Sequence, residues 1–551
     1  MQRFAFLLSL ILVGSLTSMA QAHFFWIVVD QSAPTPVAKV YFGEVAEPES
    51  ADLLEPIGEL LLEYPAERGD QWRSATAKLD HDEAALIASL PADYGAAPVV
   101  LHHDYGVITR GDQPFLLRYY AKAYPFPLPG TWRSVSDPQR LPLEITPELE
   151  GTSIRLQVRW QGKPAAGAEV TIDGPQLSDS VKGNTDQQGV CTIQLPASGT
   201  YSIRARVIEE QAGEHHGQAY SQVRHYSTLT LPYAPPRLQP AAHSWPDLPR
   251  GITSFGGAIV GDSVYVYGGH YGRAHHYSRD GQSEELLRLD LAHSKAWERV
   301  ATGPRLTGTS LVAWNDGLIR VGGFSALNID DEEEQLVSRS EVARFDLQSN
   351  TWQPLPPLPE GRSSHDAAVL GGNLYVVGGW EMVPGEETRW HNTAWQLDLE
   401  NVDAGWQPLP APPFQRRALA AAAFDGRLYV IGGMRPEGGP TTEVAVFDPQ
   451  TQAWSAGAKI LGGAMDGFGC SAFAVGDTLY VTTMSGSIQA LTKQAEGPSQ
   501  WQYVGQLEHP RFFHRLLPWR DSELVVVGGA HMEVGKITQL ERLPLTSNSS
   551  Q

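Results

Sequence analysis

The chain has 551 residues, with 62 acidic against 41 basic side chains and a formal charge of −21. That balance disfavours general nucleic-acid binding, whose footprint is a basic surface. The length is enough for more than one domain, and the two cysteines, Cys191 and Cys470, fall in different predicted domains, so two separate buried thiols are expected rather than a disulfide.

The first residues read as a secretory leader. Arg3 precedes an apolar run from Phe4 to Val13, and Ala20-Gln21-Ala22 forms a small-x-small cleavage signal. Residues 1–22 are therefore expected to be removed, leaving His23 as the first mature residue and a periplasmic or secreted protein. No later stretch approaches the ~20 apolar residues of a membrane helix, so no membrane span is expected.

From His23 to Glu150, short apolar runs (FFWIVV, KVYF, PFLLRYYAK) alternate with polar segments, which predicts a β-sandwich over 23–150 with a short helix near Asp80–Leu90. The next module, 151–231, carries the strands SIRLQVRW, AEVTI, GVCTIQL, TYSIRARV and STLTL between Gly, Pro and Asp turns. It reads as an immunoglobulin-like or transthyretin-like sandwich. In TYSIRARV, alternation places Tyr201, Ile203, Ala205 and Val207 on one face.

The AHFFWI start, the GKPAAGAEVTI and TDQQGVCTIQLP turns and the closing YSQVRHYSTLTL strand together carry a resemblance. Over His23–Leu231 the chain resembles an exported family of largely unknown role, related to periplasmic accessory proteins of nickel and cobalt uptake. The resemblance implies metal handling, although those relatives use a different mature N-terminus. Pro232–Ala242, PYAPPRLQPAA, is held extended by its prolines and reads as a linker.

Beyond the linker one phrase recurs six times: SVYVYGG, GLIRVGG, NLYVVGG, RLYVIGG, TLYVTTM and ELVVVGG. Its first small residues are Gly268, Gly322, Gly378, Gly432, Thr482 and Gly528, at intervals of 54, 56, 54, 50 and 46. That period suits a four-stranded blade, so 243–551 reads as a six-bladed β-propeller. In the third copy SSHDAAVL, NLYVVGG, TAWQLDL and GWQPLPAPP are the four strands. The last copy lacks a fourth strand, and His243–Gly251 is expected to supply it and so cover an exposed edge. The whole chain is thus expected to be all-β.

The glycine pairs, the aspartates Asp290, Asp346, Asp398 and Asp448 and the tryptophans Trp297, Trp352, Trp406 and Trp454 make this half resemble the Kelch-repeat family. Membership implies protein or carbohydrate recognition and, in some members, enzymes acting on sugars. A copper-radical oxidase of that architecture requires a cysteine-linked tyrosine with two histidines, and Cys470, the only cysteine of this half, has no convincing tyrosine–histidine complement.

Aligned on the glycine pairs, Arg250, Arg305, Arg362, Arg416 and Arg511 occupy nearly one register ahead of the inner strands, with Asp466 in the fifth copy. Two arrangements follow: structural hydrogen bonds between blades, or a basic mouth for a carboxylate, sulfate or phosphate. His365 and His514, three positions after Arg362 and Arg511, are candidate acid–base residues at that mouth. No nucleophile with an adjacent base and orienting acid is present. The acidic run Asp330–Glu334 reads as a solvated loop rather than a calcium site.

In the first half, the α-amine and imidazole of a mature His23 suit Cu, Ni or Zn. His102, His103, His215, His216 and His225 are the candidate partners, although strand alternation sends neighbours to opposite faces. His270, His275 and His276 form a weaker cluster. The leading functional expectation is an exported metal-associated or recognition protein without catalysis. Its alternatives are an enzyme isomerising an acidic carbohydrate at the propeller mouth and an extracellular assembly protein. The expected partners are an anionic small molecule, an acidic carbohydrate or a protein.

Overall fold

A computed structural model describes residues 23–31, 35–66, 71–110, 113–135, 137–293, 295–494 and 499–545. The leader reading lies outside the described residues. The described elements are strands and short 3-10 turns, and no described helix is long and apolar enough to cross a membrane.

The N-terminal half is organised by one eleven-stranded sheet that runs from Phe24–Asp30 at one edge to Val181–Asn184 at the other. At its centre Gln222–Tyr233 pairs in parallel with Gln113–Ala123, so the two expected modules share a continuous sheet. The sheet curls: Phe24–Asp30 packs back on these two central strands. The Tyr119 hydroxyl donates to the His23 carbonyl at 2.8 Å, and the Thr228 hydroxyl donates to the Phe25 carbonyl at 2.6 Å. A core built on Phe25, Trp26, Ile27 and Leu62 fills the curl.

A second core, around Leu156, Val158, Tyr201 and Leu229, lies between the far side of that sheet and a four-stranded sheet containing Leu143–Glu150 and Ser153–Trp160. The expected boundary at 150/151 falls in the turn of this hairpin. Tyr201, Ile203 and Ala205 are fully buried, as their alternation predicts. The helix expected near Asp80–Leu90 is instead the strand Ala85–Ser89, inserted between Val37–Gly43 and Trp72–Asp80. Pairing on both sides overrides the helical preference of its alanines and leucine.

The C-terminal half consists of small antiparallel sheets with the arrangement of propeller blades. Beside three two-stranded ribbons, five have four strands and one, Arg515–Trp519 with Glu523–Val527 and Glu541–Pro544, has three among the described residues. Their first strands begin at Gly256, Ser310, Asp366, Ala420, Ser471 and Arg515. Each packs on the next, and the first packs on the last.

The segment before the first sheet runs along the outer strand of the last. Ala241 bridges Arg542, the Leu248 amide donates to Thr538 at 2.9 Å, and His243 Nε2 donates to the Leu540 carbonyl at 2.8 Å. The preceding linker is docked too, with the Leu238 amide donating to Val504 at 2.8 Å and its side chain in a core shared by the fifth and sixth sheets.

The recurring residues join neighbouring sheets. Trp297, Trp406, Trp454 and Trp501 donate their indole N–H to the carbonyls of Pro246, Pro356, Pro410 and Ala458 in the preceding unit, at 2.8–3.3 Å. Asp290, Asp346 and Asp448 each accept two amides of the turn that follows them. The glycine pairs are needed for their backbone. Gly432 has φ 64°, and a Cβ there would lie 2.4 Å from the Gly467 carbonyl of the next sheet.

Candidate functional site

Inner-strand starts and second-strand ends lie at the same end of the ring, because the two strands are antiparallel. Backbone bridges Thr253–His270, Thr307–Phe324, Ser363–Trp380, Arg417–Met434 and Phe512–Ala530 mark this rim. Just inside it Ser254, Gly308, Ser364, Ala418, Gly469 and Phe513 all adopt left-handed φ of 53–64°. Each amide from Gly308 to Phe513 donates to the carbonyl of the residue before it in this series, at 2.7–3.0 Å. The channel mouth is thus a collar of backbone hydrogen bonds that passes from sheet to sheet.

The collar defines the arginine register. Arg362, Arg416 and Arg511 precede its residues by two positions, but Arg305 precedes Gly308 by three and Arg250 precedes Ser254 by four. The first three are buried with their terminal nitrogens held by the protein, although among the described residues Arg362 Nε and Arg416 Nε have no partner. Arg362 Nη1 donates to Gly378 at 2.7 Å and Thr393 at 3.1 Å, and its Nη2 to Glu360 at 2.6 Å. Arg416 Nη1 donates to Gly432 and Glu443, both at 2.8 Å. Arg511 holds Gly528 at 3.1 Å, Gln539 at 2.8 Å and the Glu541 carboxylate at 2.5 Å.

Their carbonyl oxygens matter as well: those of Arg362 and Arg416 accept from Gly323 and Gly379 of the preceding sheet. These arginines therefore stitch the glycine turns in place. Burial lowers the Arg362 and Arg416 guanidinium pKa to about 10, still well above neutrality. Arg305 donates to Arg279 and Gln282 carbonyls and pairs with Glu284. Arg250 is exposed and lies over the Tyr271 ring.

Asp466 is also internal. Its Oδ1 accepts from the Thr483 hydroxyl at 2.8 Å and the Ser485 amide at 3.1 Å, and its Oδ2 from the Gly463 amide at 3.1 Å. Burial raises its carboxyl pKa. His365 and His514 sit within the seams rather than at the mouth, 4% and 3% exposed. Desolvation holds both imidazoles neutral, His514 near pKa 3 and His365 well below its usual value. Among the described residues His365 has no hydrogen-bond partner on either ring nitrogen.

Two features of the mouth are absent from the expected set. The residue after His365, Asp366, and the residue after His514, Arg515, face each other from sheets three and six. They form an ion pair of 2.9 Å across the channel. Asp366 also accepts from the Ser310 hydroxyl at 3.2 Å and the Ala421 amide at 3.0 Å, while Arg515 Nε donates to the Phe255 carbonyl. This strut floors the mouth. Its signal was legible: HD and HR are opposite charges at equivalent positions of repeats three units apart.

The second feature is Arg417, which follows Arg416. Its guanidinium lies 4.0 Å from the Trp380 ring centroid and 5.5 Å from that of Trp390. Among the described residues its Nε is buried without a partner, as is Trp380 Nε1, and no carboxylate lies within ion-pair distance. Burial lowers the Arg417 pKa, with the Tyr277 hydroxyl opposing. The ring of Tyr277 stands 4.9 Å from that of His270 and 5.3 Å from that of Phe324. On the other side, Phe468, Phe512 and Phe513 cluster at centroid distances of 4.9–5.6 Å, all half-exposed.

The six candidate metal-binding histidines of the first half are not brought together. His102 and His103 project to opposite faces of Val99–Arg110. His103 packs on Phe25 at 5.2 Å, and His23 Nε2 lies 3.0 Å from Glu49. His102 lies on the other face, 3.2 Å from Asp104. On that face His225 is buried between the Tyr120 hydroxyl, 2.9 Å from Nδ1, and Glu209, 3.2 Å from Nε2. His215 and His216 pack on each other at 4.2 Å. Among the described residues no group of three or more His, Cys, Asp or Glu is disposed to hold a metal ion. In the second half His270 Nε2 donates to the His276 carbonyl at 3.1 Å, and His275 is an exposed turn residue with φ 57°.

Comparison with known proteins divides the chain at the same place. Residues 254–486 match the family model of the KLHDC2/KLHL20/DRC7 Kelch-repeats domain, and residues 20–209 match a domain of unknown function, DUF4198. The C-terminal region is thus Kelch-like and the N-terminal region carries a DUF4198 domain. Kelch-like protein 35 of Mus musculus is 27% identical over 236 residues, 42% of this chain and 36% of that protein. The N-acetylneuraminate epimerase of Haemophilus influenzae (strain PittEE) is 29% identical over 317 residues, 54% of this chain and 73% of the epimerase. The solved structure of YjhT is 18% identical with a TM-score of 0.44, covering 55% of this chain and 98% of that one. The chain therefore spans about a third of the first of these relatives and about three quarters of the second.

Proposed function

We propose that the C-terminal half is a six-bladed Kelch propeller whose mouth binds an acidic carbohydrate and catalyses its anomerisation, as a mutarotase does. Arg417 carries this reading. It is a half-buried cation at the rim that makes no ion pair among the described residues and lies 4.0 Å from the Trp380 ring centroid, a charge and planar fork suited to a carboxylate. Phe468, Phe512 and Phe513 supply apolar faces for a sugar ring, and the Asp366–Arg515 strut closes the floor. The match to an N-acetylneuraminate epimerase over most of that protein's length supports the same reading.

Anomerisation is redox-neutral. The anomeric O–H loses its proton, the bond from the anomeric carbon to the ring oxygen breaks as the carbonyl forms, and the ring oxygen gains a proton. Rotation and the reverse sequence give the other anomer. The Tyr277 hydroxyl, kept protonated because burial raises its pKa, is the group near Arg417 able to donate a proton, whereas His270 is buried and neutral with Nε2 on the His276 carbonyl.

The test is proton NMR of a freshly dissolved single anomer of N-acetylneuraminate, and of galacturonate, with and without the protein. The expected result is equilibration faster than the spontaneous rate, with kcat/KM reduced about 10–100-fold by Arg417→Ala, the worth of a charge-assisted hydrogen bond. Unchanged equilibration of both sugars overturns the reading. Saturable binding without acceleration selects the runner-up, a recognition module. That alternative is favoured by exposed Leu327, Ile329, Met532 and Val534 on loops of the same face.

A further inference from the structure

A second candidate site lies outside the collar. A cleft of about 520 Å³ separates the N-terminal half, at Arg73 and Asp93–Gly95, from the loops 435–443 and 459–465 of the fourth and fifth sheets. Its size is that of a small-molecule site. It adjoins the mouth through the chain itself: Met434 bridges Arg417 at the rim, and Arg435 is already in the cleft wall.

The cleft chemistry is polar and partly unpaired. Arg435 Nε is buried without a hydrogen-bond partner, with the Glu437 carboxylate 3.8 Å away. Lys459, which makes no ion pair among the described residues, lines the cleft with Glu443, and Thr442 adds a hydroxyl on the same wall. Arg73 is matched by Asp93 at 3.3 Å. Lys459 and the half-exposed Arg435, beside a hydroxyl, exposed loop backbone and the carboxylates Asp93 and Glu443, make a mixed polar surface for a hydroxyl-rich, carboxylate-bearing chain.

We infer that this cleft is a subsite for the further units of an acidic oligosaccharide whose reducing-end sugar occupies the mouth, so that the N-terminal half contributes to substrate selection. This rests on the mutarotase reading for the mouth and is separable from it.

The experiment is calorimetric titration of the full chain with N-acetylneuraminate and with its α2,8-linked trimer. The wild type is expected to favour the trimer ~10-fold or more, equivalent to ~1.4 kcal/mol. In the Arg435→Ala/Lys459→Ala double variant, and independently in Thr442→Trp, which fills the cleft, that ratio is expected to fall to about one. Folding of each variant is checked by its thermal unfolding midpoint. Equal wild-type affinities, or a preference kept in both variants, overturn the subsite while leaving the mouth reading standing. Tight trimer binding that the variants abolish, with no binding or turnover of the monomer, supports the cleft and overturns the mutarotase. Binding of neither sugar overturns both.

Discussion

Arg362 shows how one side chain decides between two uses of the same chemistry. With every strong contact made to its own sheet and to Glu360, it has no fork left for a ligand. Replacing it by alanine takes one partner from Glu360, which keeps Arg389 and His391, and leaves the Gly378 and Thr393 carbonyls without their side-chain donor, a loss of about 1–3 kcal/mol. Arg362→Ala is therefore expected to lower the urea midpoint sharply, whereas exposed Arg250→Ala should stay within about 0.5 kcal/mol of wild type. Equal effects in the two variants would show that the arginines act as one set. The repeat alignment placed five arginines at one register because it counted from the glycine pairs. The length of chain between arginine and inner strand differs among repeats, so only three reach the structural position. Arg417 was overshadowed by Arg416, since no periodicity distinguishes which member of an adjacent pair faces the rim.

Within single turns the repeats reach one backbone path by two chemistries. Four of the turns before the last sheet place glycine at left-handed φ against a carbonyl of the next sheet. In the fifth sheet Thr482 and Thr483 adopt ordinary φ, and the turn is held by side chains: Thr483 on Asp466, and Thr482 Oγ1 2.6 Å from His514 Nε2. Gly432→Ala is expected to cost about 1–3 kcal/mol through positive φ and the carbonyl clash, read as a fall in the thermal midpoint. An unaltered midpoint would mean that the neighbouring sheet gives way freely. The phrase and its period were readable from sequence because each turn repeats the same steric demand. The strand at Ala85–Ser89 was not, because its partners at Val37–Gly43 and Trp72–Asp80 are remote in sequence and only pairing reveals them.

Across the whole ring, neutral imidazoles flank both ends of the Asp366–Arg515 strut, and this couples stability to acid. His514 has its folded pKa depressed to about 3, so the folded state binds fewer protons than the unfolded state below the ordinary histidine value of about 6.5. Its contribution is complete above about pH 6.5 and is lost as pH falls toward the folded value, at about 1.4 kcal/mol per pH unit. Urea unfolding at a series of pH values between 7 and 4 is expected to show a slope shallower by that amount in His514→Gln than in wild type. Parallel slopes would place the acid sensitivity elsewhere.

The backbone contacts between Ala241–Leu248 and Thr538–Arg542 join segments nearly 300 residues apart. Contacts of such sequence separation form slowly, because loop closure must precede any gain from them. Sheets one to five can assemble while the chain is still being delivered, but the circle stays open until the stretch around Leu540 arrives. The seam so closed carries the Trp245–Trp519 contact at 5.2 Å, so the two chain ends of this half hold each other, and removing either end would expose the same apolar face.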